Sequence, residues 1–228
     1  MLSRAIQKTQ NAILYMQKHG IRSFVHALIY RTTNSYYERR LGVDTRGFIK
    51  PENLGFVNAE FHAYDPIAYR VVYAMLGRIP LEKPESTFLD YGAGKGRVIV
   101  VAATFPFKCV IGIELSASLL AEANNNVKKM RHKRAASVKL YQIDATQYAV
   151  PKDVNVIYFY NPFEGQVLHD VIGNIYDSYK QYPRKIYILF FNNDHFEKIV
   201  ENQNWIMRIY QTNFDSMYSC GIYVTKAP

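Results

Sequence analysis

Cysteine is nearly absent from this sequence, with only Cys109 and Cys220 among 228 residues. The two lie far apart in apolar stretches, with no C-x-x-C spacing and no companion ligand cluster, so we expect neither a metal site nor a disulfide framework. Two reduced core thiols in a cytoplasmic protein are the expectation. Long apolar runs and a recognisable signal peptide are also missing, and we therefore expect no membrane span.

Acidic residues are missing from the first 37 positions, although the same stretch contains several basic ones. These are Arg4, Lys8, Lys18, Arg22 and Arg31. They contribute to a net charge of +9 for the chain, which favours an anionic partner such as a nucleic acid, an acidic protein or a lipid surface. The sequence carries no signal for an oligomeric state.

Apolar residues in this acid-free stretch are spaced as on one face of a helix. The stronger stripe comprises Ile21, Phe24, Val25, Leu28 and Ile29, and it follows a weaker one that ends before Gly20. We predict two helices in an extension of residues 1–50, packed as a lid on the remaining chain. A membrane-surface helix, a targeting segment and a substrate-docking arm are the alternatives.

The rest of the chain alternates strand-like and helix-like stretches, after a mostly helical stretch at 60–76 in which Asp65 suits an N-cap and Pro66 a first turn. The predicted strands are 87–90, 109–114, 138–143, 154–160 and 185–191, and the predicted helices 96–104, 116–133, 166–181 and 194–202. This alternation predicts a parallel sheet covered on both faces. Residues 205–211 and 217–225 read as an antiparallel pair at one edge.

A glycine-rich loop follows the first predicted strand, with Gly92, Gly94 and Gly96 placed two to six residues after Asp90. Glycines permit a tight turn and a close approach of a ligand to the backbone. A dinucleotide fingerprint requires glycine or alanine where this chain has Arg97, so the spacing disfavours NAD.

Polar residues also follow the next three strands. Glu114 ends the second strand, 24 residues after Asp90, where an acid can accept both ribose hydroxyls of a nucleoside. Asp144-Ala145 follows the third strand and Tyr160-Asn161-Pro162-Phe163-Glu164 the fourth. A lone acid is more often a cap, and Asn161 is open to the simpler role of ending its strand, but four ordered matches favour a ligand site.

Asp90, followed after one residue by the pattern G-x-G-x-G at positions 92–96, resembles motif I of class I S-adenosylmethionine-dependent methyltransferases. The form D-x-G-x-G-K-G-R with a later N-P-F is most similar to bacterial members related to the disruptor-of-telomeric-silencing type of lysine methyltransferase. The resemblance implies a Rossmann-like domain over residues 51–228. Its sheet would have seven strands in the order 3-2-1-4-5-7-6, with the last strand antiparallel, and its cofactor would be S-adenosylmethionine, with S-adenosylhomocysteine as product.

The resemblance also implies roles for single residues. The loop of Gly92, Gly94 and Gly96 would approach the amino-acid part of the cofactor, and Asp90 would hold its ammonium group. Glu114 would bind the ribose. The Asp144 side chain and the Ala145 amide would contact adenine, Tyr64 with Pro66 would close over the cofactor, and Asn161 would face the methyl group.

The fourth-strand motif bears on the methyl acceptor. Relatives that methylate planar amino groups have two prolines in this loop, whereas this chain has one. A lysine amine is therefore favoured, with Tyr160 and Phe163 around its cation and Asn161 or Glu164 accepting a proton or hydrogen bond. The alternatives are a nucleic-acid methyltransferase, which the basic extension supports, and a non-catalytic interaction subunit. Lys95 and Arg97 could contact a carboxylate or phosphate, although solvation on a helix surface is the commoner position for such residues and is the one we expect.

Overall fold

The computed structural model describes residues 2–55, 60–192, 194–201, 203–214 and 218–226, and within them side chains from residue 18 onward, except those of 19, 26, 194 and 218. The helices are α1 (Leu2–Leu41), α2 (Tyr69–Gly77), α3 (Arg97–Ala103), α4 (Ala117–Lys129), α5 (Gly165–Gln181) and α6 (Asp194–Val200). The strands are β1 (Thr87–Tyr91), β2 (Cys109–Glu114), β3 (Val138–Gln142), β4 (Val154–Tyr160), β5 (Tyr187–Phe191), β6 (Ile206–Phe214) and β7 (Tyr218–Thr225).

The seven strands form one sheet in the order β3-β2-β1-β4-β5-β7-β6. The first five pair in parallel, and β7 runs antiparallel to both β5 and β6. This order and the antiparallel edge pair confirm the prediction. The strand order reverses between β1 and β4, and ligands of open α/β sheets bind beside such a switch point, at the carboxyl ends of the strands.

The central strands are buried on both faces, as in sheets covered by helices. All five residues of β1 and all six of β2 are buried. Two hydrophobic clusters result, one containing α2 and α3 and the other containing α5. Both cysteines are buried as free thiols. Among the described helices, none is long and apolar enough to cross a membrane.

The expected helix at 60–76 is largely wrong, because helical structure begins only at Tyr69. Ala68, not Asp65, is the N-cap residue. The carbonyl oxygens of Pro66 and Ile67 accept hydrogen bonds from the guanidinium of Arg97. These non-local bonds hold an irregular segment where local propensity indicated a helix.

Helix α4 also ends four residues before the predicted position. The backbone N–H of Arg131 donates to the carbonyl oxygen of Leu41 at 2.8 Å. His132 then adopts a left-handed conformation, with φ of 62°. The segment after α4 thus donates a hydrogen bond to a carbonyl oxygen at the C-terminal end of α1.

Helix α1 breaks at Gly20 (φ 80°, ψ 158°), which confirms two helical segments. After the break, its last turns pack on α2: the ring of Tyr37 stacks on Tyr69 and Tyr73, and Leu41 is buried. The expectation that the stripe from Ile21 to Ile29 packs on the domain is wrong, since most of its side chains are exposed. Helical spacing identifies an apolar face but not what covers it. The boundary at residue 50 stays a prediction.

Candidate functional site

The loop between β1 and α3 turns through three glycines, Gly92, Gly94 and Gly96, all with left-handed φ of 77°, 55° and 83°. The N–H of Gly92 donates to the carbonyl oxygen of Ile113 at 3.0 Å, which ties the loop to β2. At Gly94 an added Cβ would lie 2.5 Å from the ring of Tyr64. Only glycine combines this backbone conformation with so close an aromatic neighbour.

Two buried carboxylates stand beside this loop, at the carboxyl ends of β1 and β2. The Glu114 carboxylate accepts hydrogen bonds from the N–H of Gly94 at 2.8 Å and of Ser116 at 2.9 Å. Asp90 is 2% exposed, and among the described residues its Oδ2 has no hydrogen-bond partner. Glu114 is thus oriented by the backbone, whereas Asp90 retains an unused acceptor.

Burial raises the pKa of both acids, because desolvation disfavours their charged forms. For Asp90 the pKa lies well above its usual value, through burial first and the nearby charge of Glu114 second. For Glu114 burial raises the pKa while the backbone N–H donors of Ser116 and Gly94 oppose the rise. A bound cation, or hydroxyl groups that donate hydrogen bonds to these two acids, would compensate the solvation that the acids lose on burial.

A cleft opens above these acids at the switch point of the sheet. It is lined by both carboxylates and by Tyr64, Gly94, Ala145 and Tyr160. Tyr64, predicted to cover a cofactor, lies over Gly94, and its hydroxyl donates to the carbonyl oxygen of Thr45 at 2.5 Å. Burial raises the pKa of Tyr64, so its phenol stays protonated.

The turn after β3 holds Asp144 and Ala145. Asp144 caps a short 3-10 turn at Ala145–Gln147: its Oδ1 accepts from the N–H and the hydroxyl of Thr146, each at 2.8 Å. Ala145 is buried and lines the cleft, whereas Asp144 lies outside the lining residues. The adenine roles of these two residues stay predictions.

The fourth-strand motif forms the other side of the cleft. Tyr160, Pro162 and Phe163 line it, and Asn161 lies beside them with a left-handed φ of 42°. Phe163 is 3% exposed, edge-on to the rings of Tyr91 and Phe159. Phe163 thus forms part of the cleft wall and is held there by aromatic packing. The roles of Phe163 and Asn161 toward a substrate stay predictions.

Arg97 departs from the expected solvated position. It is 3% exposed, and its guanidinium lies 3.2 Å from the carboxylate of Glu38 in α1. The same guanidinium donates to the Thr45 hydroxyl at 2.7 Å and lies over the ring of Tyr69. Arg97 therefore fixes the N-terminal segment against the glycine loop and is not available to a ligand carboxylate or phosphate.

Lys95 is also placed by internal contacts. Its Nζ lies 2.9 Å from the carboxylate of Glu122 and 5.6 Å from the centre of the Tyr64 ring. Its carbonyl oxygen accepts from the side-chain amide of Asn126, which also bonds the backbone of Asp44. The glycine loop is consequently held from both the N-terminal side and α4.

Residues 60–62, which we call the strap, form hydrogen bonds with the fourth-strand motif and with the start of α5. No sequence pattern predicted these contacts. The Glu60 carboxylate accepts from the N–H groups of Gln166 and Val167 at the start of α5, and the N–H of His62 donates to the Pro162 carbonyl oxygen. His62 Nδ1 lies 2.9 Å from the Asn161 carbonyl oxygen. Because a carbonyl only accepts, Nδ1 carries the hydrogen in this contact. No local pattern marks such pairing between segments a hundred residues apart.

Solved structures share this arrangement of strands and helices. An RNA methyltransferase from Salinibacter ruber, in complex with S-adenosylhomocysteine, aligns with a TM-score of 0.54 at 18% identity, over 72% of this chain and 97% of that one. A candidate rRNA methylase from Clostridium thermocellum aligns with a TM-score of 0.52 at 11% identity, over 72% and 98%. The chain has the class I methyltransferase fold.

A third structure with this methyltransferase fold is a Listeria monocytogenes protein predicted to be an N6-adenine-specific DNA methylase. It aligns with a TM-score of 0.51 at 14% identity, over 72% of this chain and 52% of that one. No protein-family model matches the chain, and no curated protein matches it. At these identities the likeness establishes the fold alone.

Proposed function

We propose that this chain is an S-adenosylmethionine-dependent methyltransferase. The observation that carries the proposal is the pair of buried acids under the glycine loop, both of which line the cleft. One of them, Asp90, has an oxygen, Oδ2, without a hydrogen-bond partner among the described residues. Leaving such an oxygen buried and unpaired costs free energy that a bound cation or N–H donor would recover. The ammonium group of S-adenosylmethionine is such a donor.

The residues around the cleft fit this cofactor one by one. Asp90 would accept from its ammonium group, and the carboxylate of Glu114, already aligned by two backbone N–H groups, has lone pairs left for the ribose hydroxyls. Gly94 and Tyr64 both line the cleft, and the Tyr64 ring covers the loop at this glycine. When bound, the cofactor supplies an electrophilic methyl group on a sulfonium. The protein's own task is then chiefly orientation and exclusion of water.

We infer that a nucleic acid is a better-supported methyl acceptor than a protein lysine. The net charge of +9 suits a polyanion, and structures of similar fold include proteins named as RNA, rRNA and DNA methylases. The lysine assignment relied on Tyr160 and Phe163 flanking a cation, but Phe163 is committed to packing against Tyr91 and Phe159. A lysine acceptor, and with it the relationship to the telomeric-silencing type, is the alternative.

The acceptor would meet the methyl group at the end of β4. Pro162 stiffens this loop, and the strap residue His62 hydrogen-bonds to the carbonyl oxygens of both Asn161 and Pro162. The side chain of Asn161 is thereby presented from a restrained backbone. It would orient the acceptor atom through a hydrogen bond, which is the main requirement of an in-line transfer.

Radiolabelled methyl transfer from S-adenosylmethionine into fractionated lysate tests this proposal. We expect label in material that ribonuclease or deoxyribonuclease removes and that protease leaves. Label lost on protease treatment would favour the lysine alternative. No transfer into any fraction, by a protein that binds S-adenosylhomocysteine, would favour a non-catalytic subunit.

A further inference from the structure

The part of α1 after Gly20 carries an apolar face that points away from the sheet, which we call the outer face. It consists of Ile21, Val25, Leu28, Ile29 and Tyr36, which are 69%, 43%, 50%, 45% and 51% exposed. Their spacing of four, seven, eight and fifteen residues from Ile21 places them on one side of a helix. A contiguous exposed apolar face of this kind marks an interaction site.

The opposite side of the same helix is already used. The Tyr30 hydroxyl donates to the carbonyl oxygen of Pro66, Asn34 accepts from the N–H of Tyr69, and Glu38 pairs with Arg97. Packing on the domain therefore accounts for one face of the helix only. The outer face lies across the helix from it.

Basic residues surround the outer face, and acids are missing from it. Lys18, Arg22 and Arg31 are exposed, as are Arg39 and Arg40 at the end of the helix. The first acid of the chain, Glu38, is 4% exposed and bonded inward to Arg97 and Thr45. The outward charge of this helix is therefore of one sign.

We propose that the outer face binds an anionic phospholipid surface, with the part of α1 after Gly20 lying in the plane of the headgroups. An apolar stripe flanked by Lys and Arg is the arrangement that interfacial helices use, because the stripe enters the acyl boundary while the cations meet lipid phosphates. Binding through the outer face would leave the contact between the helix and the glycine loop in place, since Glu38 and Arg97 form it on the other side of the helix.

Two other binding partners fit the outer face less well. A second copy of the chain would bring Arg22 and Arg31 of both helices together with no outward acid to pair with them. An RNA strand would meet the cations but would leave Ile21, Val25 and Leu28 exposed to water. A lipid surface satisfies both the apolar and the charged part of the helix.

Co-sedimentation of the full chain with vesicles tests the proposal. We expect binding to phosphatidylcholine vesicles that contain phosphatidylglycerol, little binding to pure phosphatidylcholine, and weaker binding at high salt. The variant Ile21→Glu/Leu28→Glu should bind at least about tenfold more weakly, because it places charge in the buried stripe. Met207→Glu/Ile209→Glu, on the exposed strand β6, is the matched control and should bind like the parent.

The cations are tested separately. Arg22→Gln/Arg31→Gln should weaken binding to the anionic vesicles, whereas Lys139→Gln/Lys185→Gln, which removes two exposed cations elsewhere, should have a smaller effect. Circular dichroism and thermal unfolding of each variant verify that the fold is retained. Equal binding to both vesicle types, or no effect of the Ile21 and Leu28 changes, would overturn the proposal. So would a dimer, or an RNA complex, that these two changes abolish while vesicle binding persists.

Discussion

The two sides of the cleft are held in different ways. The proposed cofactor side, with Asp90, Glu114 and the glycine loop, is fixed by the buried ion pair of Arg97 with Glu38 and by the close contact of Gly94 with the Tyr64 ring. The proposed acceptor side, from Tyr160 to Glu164, is fixed by backbone pairing with the strap of residues 60–62 and includes Asn161 in a left-handed conformation. The first side thus depends on contacts with the N-terminal segment, whereas the second depends on pairing with residues 60–62.

Removal of Glu38 should have the largest effect on stability. Glu38→Ala leaves the Arg97 guanidinium buried without its carboxylate, which costs about 3 to 5 kcal/mol for a broken buried pair. Denaturant unfolding measures the loss. Asp44→Ala, which breaks the exposed pair with Arg46, is the matched control and should cost at most about 1 kcal/mol. Similar losses for the two variants would mean that the Arg97 pair does not anchor the cofactor side.

The variant Asn161→Ala tests the proposed acceptor side of the cleft. Asn161→Ala should lower methyl transfer by roughly a hundredfold and leave S-adenosylhomocysteine affinity within about threefold, because an orienting contact to the acceptor is lost. Asn192 also has a left-handed φ and also follows a parallel strand, so Asn192→Ala controls for the backbone strain of alanine there. Parallel loss of affinity and activity in Asn161→Ala would make this residue part of the cofactor pocket.

The variant Gly94→Ala tests the close contact between the glycine loop and the Tyr64 ring. Gly94→Ala places a Cβ against the ring of Tyr64 at a left-handed φ, and we expect S-adenosylhomocysteine affinity to fall about tenfold or more through loop displacement and strain. Calorimetry gives the affinity. Gly173→Ala, in α5 with open space around it, should leave affinity unchanged and stabilise the helix by up to about 1 kcal/mol. Normal affinity in Gly94→Ala would show that the loop tolerates a side chain.

The raised pKa of Asp90 predicts a smaller, pH-dependent effect. Between the unfolded pKa of about 4 and the raised folded pKa, the folded state holds a proton that the unfolded state has lost. The free energy of unfolding should therefore fall as pH rises through this window, by up to about 1.4 kcal/mol per pH unit. Asp90→Asn should lose that contribution, as measured by unfolding at a series of pH values. Parallel curves for the two proteins would contradict a raised pKa at Asp90.

Local patterns predicted most of the sheet, and long-range contacts explain where they failed. Buried apolar runs located β2 and β4 at their observed ends. Of the residues predicted to form one ligand site, Asp90, Gly92, Gly94 and Glu114 do line one cleft, and their role toward a ligand stays a prediction. The irregular segment before Tyr69 follows from hydrogen bonds to Arg97, thirty residues away in the chain. Neither these bonds nor the strap on Asn161 has a local signature, because each depends on how the finished fold brings distant segments together.

Calorimetric titration with S-adenosylhomocysteine and, separately, with NAD tests the central claim most directly. We expect S-adenosylhomocysteine to bind and NAD to show no comparable binding. Glu114→Ala should weaken the complex by roughly 1 to 3 kcal/mol, because a charged acceptor of the ribose hydroxyls is lost. Absent binding of S-adenosylhomocysteine, comparable binding of NAD, or unchanged affinity in Glu114→Ala would contradict the assignment of this cleft.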